Sequence, residues 1–187
     1  MTATFTPKDA LLLVDLQNDF CSGGALPVPD GDHVVPAANR WISRAVQGDA
    51  TIVASADWHP AQHPSFVPNG GPWPVHCLAG SRGAAFHPTL RLPPGFVLVT
   101  KGTRLDRDQY SAFDETGLAD WLGGRGVRRV WIGGLAEDIC VRATALASAA
   151  AGFETHLLTE CTRGLSPEGS AATRMEILDA GVFLTEV

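Results

Sequence analysis

The sequence lacks any apolar run that approaches the ~20 residues needed to span a bilayer. Its first residues also lack the basic segment and apolar stretch that mark a secretory signal peptide, so we expect none. Lysine and arginine together number 14 against 20 acidic residues, and they form no basic stripe along the chain. We therefore expect neither nucleic acid nor membranes among the partners of this protein.

Cysteine and lysine are both scarce. The four cysteines are widely spaced and include no CxxC pair, which argues against a disulfide scaffold in a chain of 187 residues. We expect free thiols and hence a reducing, cytoplasmic location. Only two of the 14 basic residues are lysines, Lys8 and Lys101. Because almost all the other basic residues are arginines, a lysine at the end of an apolar strand needs a specific explanation.

What is present is a regular alternation of apolar strands and helical patterns. With 187 residues, of which 45% are hydrophobic, the chain suits one domain, spanning residues 1–187. Short apolar strands that alternate with helices predict an α/β fold with a parallel sheet covered on both faces. The predicted strands are 10–16, 51–56, 96–100, 129–132, 155–158 and 182–184. The predicted helices are 34–46, 138–151 and 167–180.

One stretch, Trp58 to Pro94, interrupts this alternation. It holds eight of the 13 prolines and four of the six histidines, and it has no clear period. A structureless stretch of this length inside a compact domain is uncommon and usually has a function. Its residue content predicts a metal-binding loop at about 57–94.

Reactive side chains follow the ends of four predicted strands. Asp15, Asp57 and Lys101 end the first three, and Cys140 follows the fourth in a helix opened by a glycine-bearing turn. Because ligands of open parallel sheets bind at the carboxyl ends of the strands, we expect these side chains at one edge. A carboxylate that takes a thiol proton, an ammonium beside it and the thiol itself form a coherent catalytic set.

The position of Cys140 is typical of a nucleophile. In the first turn of a helix, the dipole and the free N–H groups lower a thiol pKa, and the same groups can hold an oxyanion. The alternative is a small buried hydrophobe. That is the role we expect for the other three cysteines, Cys21, Cys77 and Cys161. The corresponding alternatives are a turn residue for Asp15 and a solvated surface amine for Lys101.

Asp57 and three loop histidines have the spacing of a metal site. The pattern D-x-H-x3-H-x12-H is formed by Asp57, His59, His63 and His76. Neutral imidazoles with one carboxylate suit Zn²⁺, Fe²⁺ or Mn²⁺, so we expect one divalent metal ion. The alternative is a set of loop histidines that bind only backbone carbonyls. Three histidines lie outside this spacing and are expected to be structural, namely His33, His87 and His156.

Aromatic residues near these groups are candidates for holding a flat substrate. Phe20 and Trp73 are close in sequence to the first carboxylate and the last histidine of the two sets, and Tyr110 follows the lysine. The alternative for each is ordinary packing in the core or over the site.

Six segments carry these residues in a recognisable order. They are ALLLVDLQNDFCSGGALPVPDGD, ASADWHPAQHPSF, GPWPVHCLAGSRGAAFHP, KGTRLDRDQYSAF, GLAEDICVRATALASAA and CTRGLSPEGSAA, and they run from about residue 10 to residue 172. Together they resemble the nicotinamidase (pyrazinamidase) branch of the isochorismatase-like cysteine hydrolases. The resemblance implies a Rossmann-like three-layer sandwich with a six-stranded, mainly parallel sheet.

The resemblance also implies a role for each candidate residue. The implied catalytic triad is Asp15, Lys101 and Cys140. The implied metal ligands are Asp57, His59, His63 and His76. A cis peptide bond is expected between Leu135 and Ala136, so that the N–H groups of Ala136 and Cys140 form an oxyanion hole. The expected substrate contacts are Phe20, Trp73, Tyr110 and Leu135.

The implied activity is hydrolysis of nicotinamide to nicotinate and ammonia, and also of pyrazinamide, through a cysteine thioester in NAD salvage. Glu137 and Ile139 depart from residues that are frequent in relatives, which leaves fine substrate preference open. Relatives range from monomer upward, which is compatible with a homo-oligomer.

Two kinds of alternative stay open at this point. Another amidase of the superfamily, such as an N-carbamoyl hydrolase, or an isochorismatase would not be expected to need the three-histidine loop. A non-enzymatic metal or thiol-redox module would need a resolving cysteine close by, and none is evident in the sequence.

Overall fold

The computed structural model describes residues 4–186. Within this range, six strands form one sheet, and every pairing is parallel. The strands are β1 (Asp9–Val14), β2 (Thr51–Asp57), β3 (Val97–Lys101), β4 (Arg129–Leu135), β5 (Glu154–Arg163) and β6 (Phe183–Thr185). The sheet order is β3-β2-β1-β4-β5-β6, so β1 lies near the centre and the chain winds outward in both directions. This arrangement places the ends of β1, β2, β3 and β4 at one edge.

Helices cover both faces of the sheet. They are α1 (Val34–Gln47), α2 (Leu118–Gly124), α3 (Arg142–Ala150) and α4 (Pro167–Asp179). Alternate side chains of β1 point to opposite faces, as the period of a strand requires. Leu11 and Leu13 pack on the side of α1, with Trp41. Leu12 packs on the other side, with Leu122 and with residues of α3 and α4.

The resulting three-layer α/β architecture confirms the predicted fold class, and the sheet is wholly rather than mainly parallel in the described range. The strong pattern that predicted α1 is explained by its buried stripe, which includes Val34, Ala38, Trp41 and Ala45 at helical spacing. β1 is buried along its whole length, as expected for a central parallel strand.

The predicted helix over 138–151 is only partly correct. Residues Glu137–Val141 form a π-helical turn, and α3 begins at Arg142. The N–H of Val141 donates to the carbonyl of Ala136 at 3.1 Å, five residues back, which widens the turn relative to an α-helix. Such turns are frequent at functional sites, and this one contains Cys140.

The sequence pattern missed α2. This helix has only seven residues, two of them glycines, so it has no extended apolar period. Burial of Leu118 and Leu122, four residues apart, holds it on the sheet. The loop over 58–94 is irregular as predicted, with the short 3₁₀ turn Val67–Asn69 inside it. None of the helices described between residues 4 and 186 is long and apolar enough to cross a membrane.

Candidate active site

The ends of three strands bring Asp15, Lys101 and Cys140 into direct contact, as the sequence predicted. The ammonium nitrogen of Lys101 lies 2.7 Å from Oδ2 of Asp15 and 3.3 Å from the sulfur of Cys140. Asp15 follows β1, Lys101 ends β3 and Cys140 follows β4. All three side chains are buried. The long aliphatic side chain of Lys101 allows its amine to extend from β3, past β2, to the end of β1.

Local backbone geometry and one hydroxyl orient the carboxylate of Asp15. Its φ of 50° lies in the left-handed region, which aspartate tolerates better than most residues. The hydroxyl of Ser55, on the neighbouring strand β2, donates to Oδ1 at 2.7 Å. Oδ2 is therefore the oxygen that faces Lys101.

Burial sets the protonation of these groups. It raises the pKa of Asp15 above its ordinary value, and the charge of Lys101 offsets this only in part. For Lys101, burial acts to lower the pKa, but the carboxylates of Asp15 and Asp57 raise it well above its usual value. The amine is therefore an ammonium ion held between two carboxylates.

The Cys140 thiol differs from the expectation drawn from its helix position. Burial raises its pKa well above that of a free thiol, and the nearby ammonium of Lys101 lowers it only in part. Removal of water and the charges of Asp15 and Asp57 thus outweigh the charge of Lys101. The Cys140 thiol is therefore neutral in this environment.

The turn between β4 and Cys140 has an unusual backbone. The peptide bond between Leu135 and Ala136 is cis. Gly134 has a φ of 135°, and a Cβ added there would lie 2.0 Å from the carbonyl oxygen of Val14. Only glycine allows β4 to pass β1 this closely. Ala136 and Cys140 both line the cavity described below.

Two of the three predicted histidine ligands, His59 and His76, direct their Nε2 atoms at Asp57. Nδ1 of His59 donates to the carbonyl of Gly102 at 2.9 Å, and Nδ1 of His76 donates to that of Pro74 at 2.8 Å. A carbonyl only accepts, so the protons are on Nδ1 and the Nε2 lone pairs face the site. Their Nε2 atoms lie 3.6 Å and 3.9 Å from Oδ2 of Asp57.

These donors fit a divalent metal ion. Nε2 of His59 and Nε2 of His63 are buried without a hydrogen-bond partner, which is costly for a polar atom that binds nothing. The alternative of histidines that bind only carbonyls does not account for these orphaned atoms. For Asp57, burial acts to raise the pKa, but Lys101 and His59 lower it, so the carboxylate is ionised and able to bind a cation.

The ligand atoms form two overlapping groups rather than one. Those of Asp57, His59 and His76 lie within 4.8 Å of one another. Those of His59, His63 and Asp108 satisfy the same limit. His63 therefore groups with a carboxylate that the sequence pattern did not single out.

A partly open cavity lies over Cys140. Phe20, Trp73 and Tyr110 line it, as predicted. The indole N–H of Trp73 donates to the hydroxyl of Tyr110 at 3.1 Å. Leu135 is fully buried in the core and is not among the lining residues, which are Phe20, Leu26, Val28, Asp57, Trp73, His76, Asp108, Tyr110, Ala136, Ile139, Cys140 and Leu165.

Sequence reasoning missed three polar residues around the site. Ser55 holds Asp15, and Asp108 lines the cavity beside the histidines. Gln17 is fully buried; its amide donates to the carbonyl of Asp57, and its side-chain oxygen accepts from the N–H of Asp57, both at 2.8 Å. Gln17 comes two residues after Asp15, and Asp108 comes two residues before Tyr110. Closeness in sequence to these candidate residues could therefore have pointed to both.

The cysteines expected to be structural are free, buried thiols outside the triad. Burial raises the pKa of Cys21 to about 11 and that of Cys161 to about 12, and it raises the pKa of Cys77 further. The three histidines expected to be structural bind neighbouring side chains. Their partners include Asp30 for His33, Asp32 for His87 and Glu154 for His156.

Comparison with known proteins places this site in a family. The model of the isochorismatase domain matches residues 9–187. A nicotinamidase of Escherichia coli (strain K12) is 39% identical and covers 95% of this chain and 94% of its own length. The pyrazinamidase of Pyrococcus horikoshii, solved in complex with zinc, is 44% identical, with a TM-score of 0.94 over 97% of this chain and all of its own.

A third relative carries a ligand. A protein of L. infantum, solved in complex with nicotinate, is 37% identical, with a TM-score of 0.92 over 100% of this chain and 96% of its own. The chain belongs to the isochorismatase domain family, and it is a hydrolase. Within that family, its similar relatives are nicotinamidases and pyrazinamidases.

Proposed function

We propose that this chain is a nicotinamidase, which hydrolyses nicotinamide to nicotinate and ammonia, and pyrazinamide likewise, as a step of NAD salvage. The observation that carries the proposal is the contact of Lys101 with both Asp15 and Cys140 beneath an aromatic-lined cavity. A buried thiol beside a base and an ammonium is suited to attack a carbonyl carbon. The similar relatives are nicotinamidases and pyrazinamidases, so we propose an aromatic amide as the substrate of Asp15, Lys101 and Cys140.

The aromatic walls select a flat ring. Phe20 and Trp73 would hold the pyridine ring between them, and Tyr110 would keep the Trp73 indole in place through the hydrogen bond of 3.1 Å. A divalent metal ion held by Asp57, His59 and His76, with His63 close by, would supply a Lewis-acidic point for binding the ring nitrogen. Positioning of this kind brings a weakly electrophilic amide to the thiol at attack distance.

The reaction then needs one base and one nucleophile. Asp15 takes the proton of Cys140 as the sulfur bonds to the carboxamide carbon, and its raised pKa suits a base that must hold this proton. The developing oxyanion is held by the N–H groups of Ala136 and Cys140. Asp15 returns the proton to the departing nitrogen, the C–N bond breaks and ammonia leaves. Water, deprotonated by Asp15, hydrolyses the thioester, which releases nicotinate and restores the thiol.

Ammonia release from nicotinamide by the purified protein tests the proposal. We expect release to vanish in Cys140→Ala and in a chelated sample, and to persist in the matched variant Cys21→Ala, which removes a buried thiol outside the triad. Chelation should raise KM or abolish binding while Cys140 stays open to alkylation. No release from a metal-loaded protein would reject this substrate and direct the search to other amides.

The cellular setting follows from the same chemistry. Four free, buried thiols suit a reducing compartment, so we place the protein in the cytoplasm. The homo-oligomer stays a prediction, to be tested by sedimentation.

A further inference from the structure

We propose that Asp108 is part of the metal site, and that metal binding at this carboxylate fixes the loop 102–117, which carries Tyr110 of the cavity wall. The inference rests on the proposed function, because it concerns the metal used there, but its tests require no substrate. It adds a fifth side chain to the four that the sequence pattern assigned.

The placement of Asp108 opposite an orphaned imidazole is the first argument. Its Oδ1 lies 4.0 Å from Nε2 of His63, and the side chain is 18% exposed. Nε2 of His63 is buried and has no hydrogen-bond partner, and the same is true of Nε2 of His59. The ligand atoms of these three residues lie within 4.8 Å of one another. A cation bound here would satisfy the two buried ring nitrogens and the carboxylate together.

The charges of the loop give a second, independent argument. Its other acidic side chains pair with arginines: Asp106 with Arg104, Asp114 with Arg107, and Glu115 with both. Asp108, in contrast, has no lysine or arginine partner among the ion pairs of residues 4–186. Its charge faces the histidines instead of the loop arginines.

The charge of Asp57 strengthens this argument. The Asp57 carboxylate is already paired with the ammonium of Lys101 at 2.6 Å. That one ammonium is shared with Asp15, so Asp57 and Asp108 both leave negative charge for a cation, and of these two carboxylates Asp108 has no lysine or arginine partner in the described chain. A dication bound among the histidines would meet the Asp108 carboxylate, whose Oδ1 accepts from the N–H of Gln109 at 2.8 Å but which pairs with no lysine or arginine of the described chain.

The loop is built so that holding Asp108 also holds Tyr110. The side chain of Gln109, between them, is buried; it donates to the carbonyl of Asp114 at 2.7 Å and accepts from the N–H of Thr103 at 3.3 Å. Tyr110 in turn accepts the hydrogen bond from Trp73. A cation at Asp108 would thus connect the metal loop, the loop 102–117 and the aromatic wall.

The first test is the zinc affinity of metal-stripped protein, measured by competition with a chromophoric chelator. We expect Asp108→Asn to weaken binding about 10- to 100-fold, as loss of a supporting group does at metal sites. Asp108→Glu should recover part of the affinity. The matched control is Asp106→Asn, which removes a 63% exposed carboxylate from the same loop and should leave the affinity unchanged. Affinity of Asp108→Asn within twofold of the unchanged protein would overturn the proposal.

The second test uses the unaltered chain and so does not depend on a variant that folds. Trypsin cleaves after arginine, and Arg104 and Arg107 lie within the loop 102–117, with side chains 37% and 43% exposed. We expect zinc to slow cleavage at these two sites, followed by mass spectrometry, more than cleavage after Arg125 in the turn that follows α2. Equal effects of zinc at all three sites would contradict the fixing of the loop.

The outcomes separate this proposal from the proposed function. Loss of zinc affinity in Asp108→Asn supports the metal role even if the protein releases no ammonia from nicotinamide. Unchanged zinc affinity with full ammonia release would reject the role of Asp108 and leave the nicotinamidase standing.

Discussion

Lys101 and Asp57 form an ion pair of 2.6 Å that joins the thiol side of the site to the histidine side. Oδ1 of Asp57 contacts the ammonium, and Oδ2 faces the histidines. One carboxylate is thus shared between the predicted triad and the predicted metal ligands. A substitution on either side should therefore alter the electrostatic environment of the other side, because both contact the same buried carboxylate.

Replacement of Lys101 by methionine should abolish ammonia release and destabilise the protein. The carboxylates of Asp15 and Asp57 would lose their cation in a dry environment, which costs about 3–5 kcal/mol when one partner of a buried pair is removed. Urea unfolding of the metal-free protein measures the stability. Lys8→Met, at an exposed lysine, is the control and should match the unchanged protein. A loss below about 1 kcal/mol in Lys101→Met would show that the pair adds little.

The π-helical turn that contains Cys140 is bonded to α4 by an ion pair in which Glu137 is buried and Arg174 is 38% exposed, and Arg174→Met should loosen this contact. Nε and Nη2 of Arg174 donate to the two oxygens of Glu137 at 2.6 Å and 3.2 Å, and Glu137 is buried. We expect a destabilisation of about 1–3 kcal/mol, because the buried carboxylate loses both donors, with kcat lowered because Glu137 neighbours Ala136.

The control for this change is Arg142→Met. Arg142 makes a similar two-bond pair with Glu176, but both side chains are more than a third exposed. Thermal denaturation should show a loss within about 1 kcal/mol there. Similar losses in the two variants would contradict the importance of burial at Glu137.

Tyr110→Phe should weaken substrate binding with little effect on the chemical step. The change removes the acceptor of the Trp73 indole N–H, a neutral hydrogen bond worth about 0.5–1.5 kcal/mol. We therefore expect KM for nicotinamide to rise about 2- to 10-fold, with kcat within about twofold, in steady-state ammonia assays. A large fall in kcat at unchanged KM would instead place Tyr110 in the reaction itself.

Acid should remove a stabilising contribution of Asp9, at the base of the sheet. Burial acts to raise the pKa of Asp9, but hydrogen bonds from Arg129, Thr6 and Trp131 lower it from 3.8 to about 2. A pKa lower in the folded state than in the unfolded state stabilises the fold above pH 3.8 and ceases to do so as the pH falls through 2.

The test compares Asp9→Asn with the unchanged protein by chemical denaturation from pH 7 to pH 2. The unchanged protein should be more stable by about 1–2 kcal/mol at pH 7, and the difference should shrink as the pH falls from about 4 to 2. A difference that stays constant over this range would mean that Asp9 acts through packing and not through its charge.

The strand ends were predictable because two simple rules apply to them. A buried parallel strand is a continuous apolar run, and its carboxyl end faces the ligand. Asp15, Lys101 and Cys140 follow such runs, so their meeting point required no knowledge of the loops. The grouping of Asp57 with His59 and His76 was predictable from their spacing, whereas the role of all four predicted residues as metal ligands stays a prediction.

The remainder depended on contacts between segments that are distant in sequence. Asp108 meets His63 across 45 positions, and Glu137 meets Arg174 across 37, which no local pattern indicates. The raised pKa of the Cys140 thiol could not be predicted from the sequence either, since it results from burial in the folded chain. That the chain is a single domain over 1–187 stays a prediction.

The scarcity of lysine gives the folded chain an unusual chemical asymmetry. One of its two lysines, Lys8, is exposed, and the other, Lys101, is fully buried. Amine-reactive acylating agents should therefore mark the native protein at Lys8 and spare Lys101. Lys101 would be acylated only in molecules whose active site has opened. The ratio of the Lys101 adduct to the Lys8 adduct, followed over time, would therefore measure the rate of that opening.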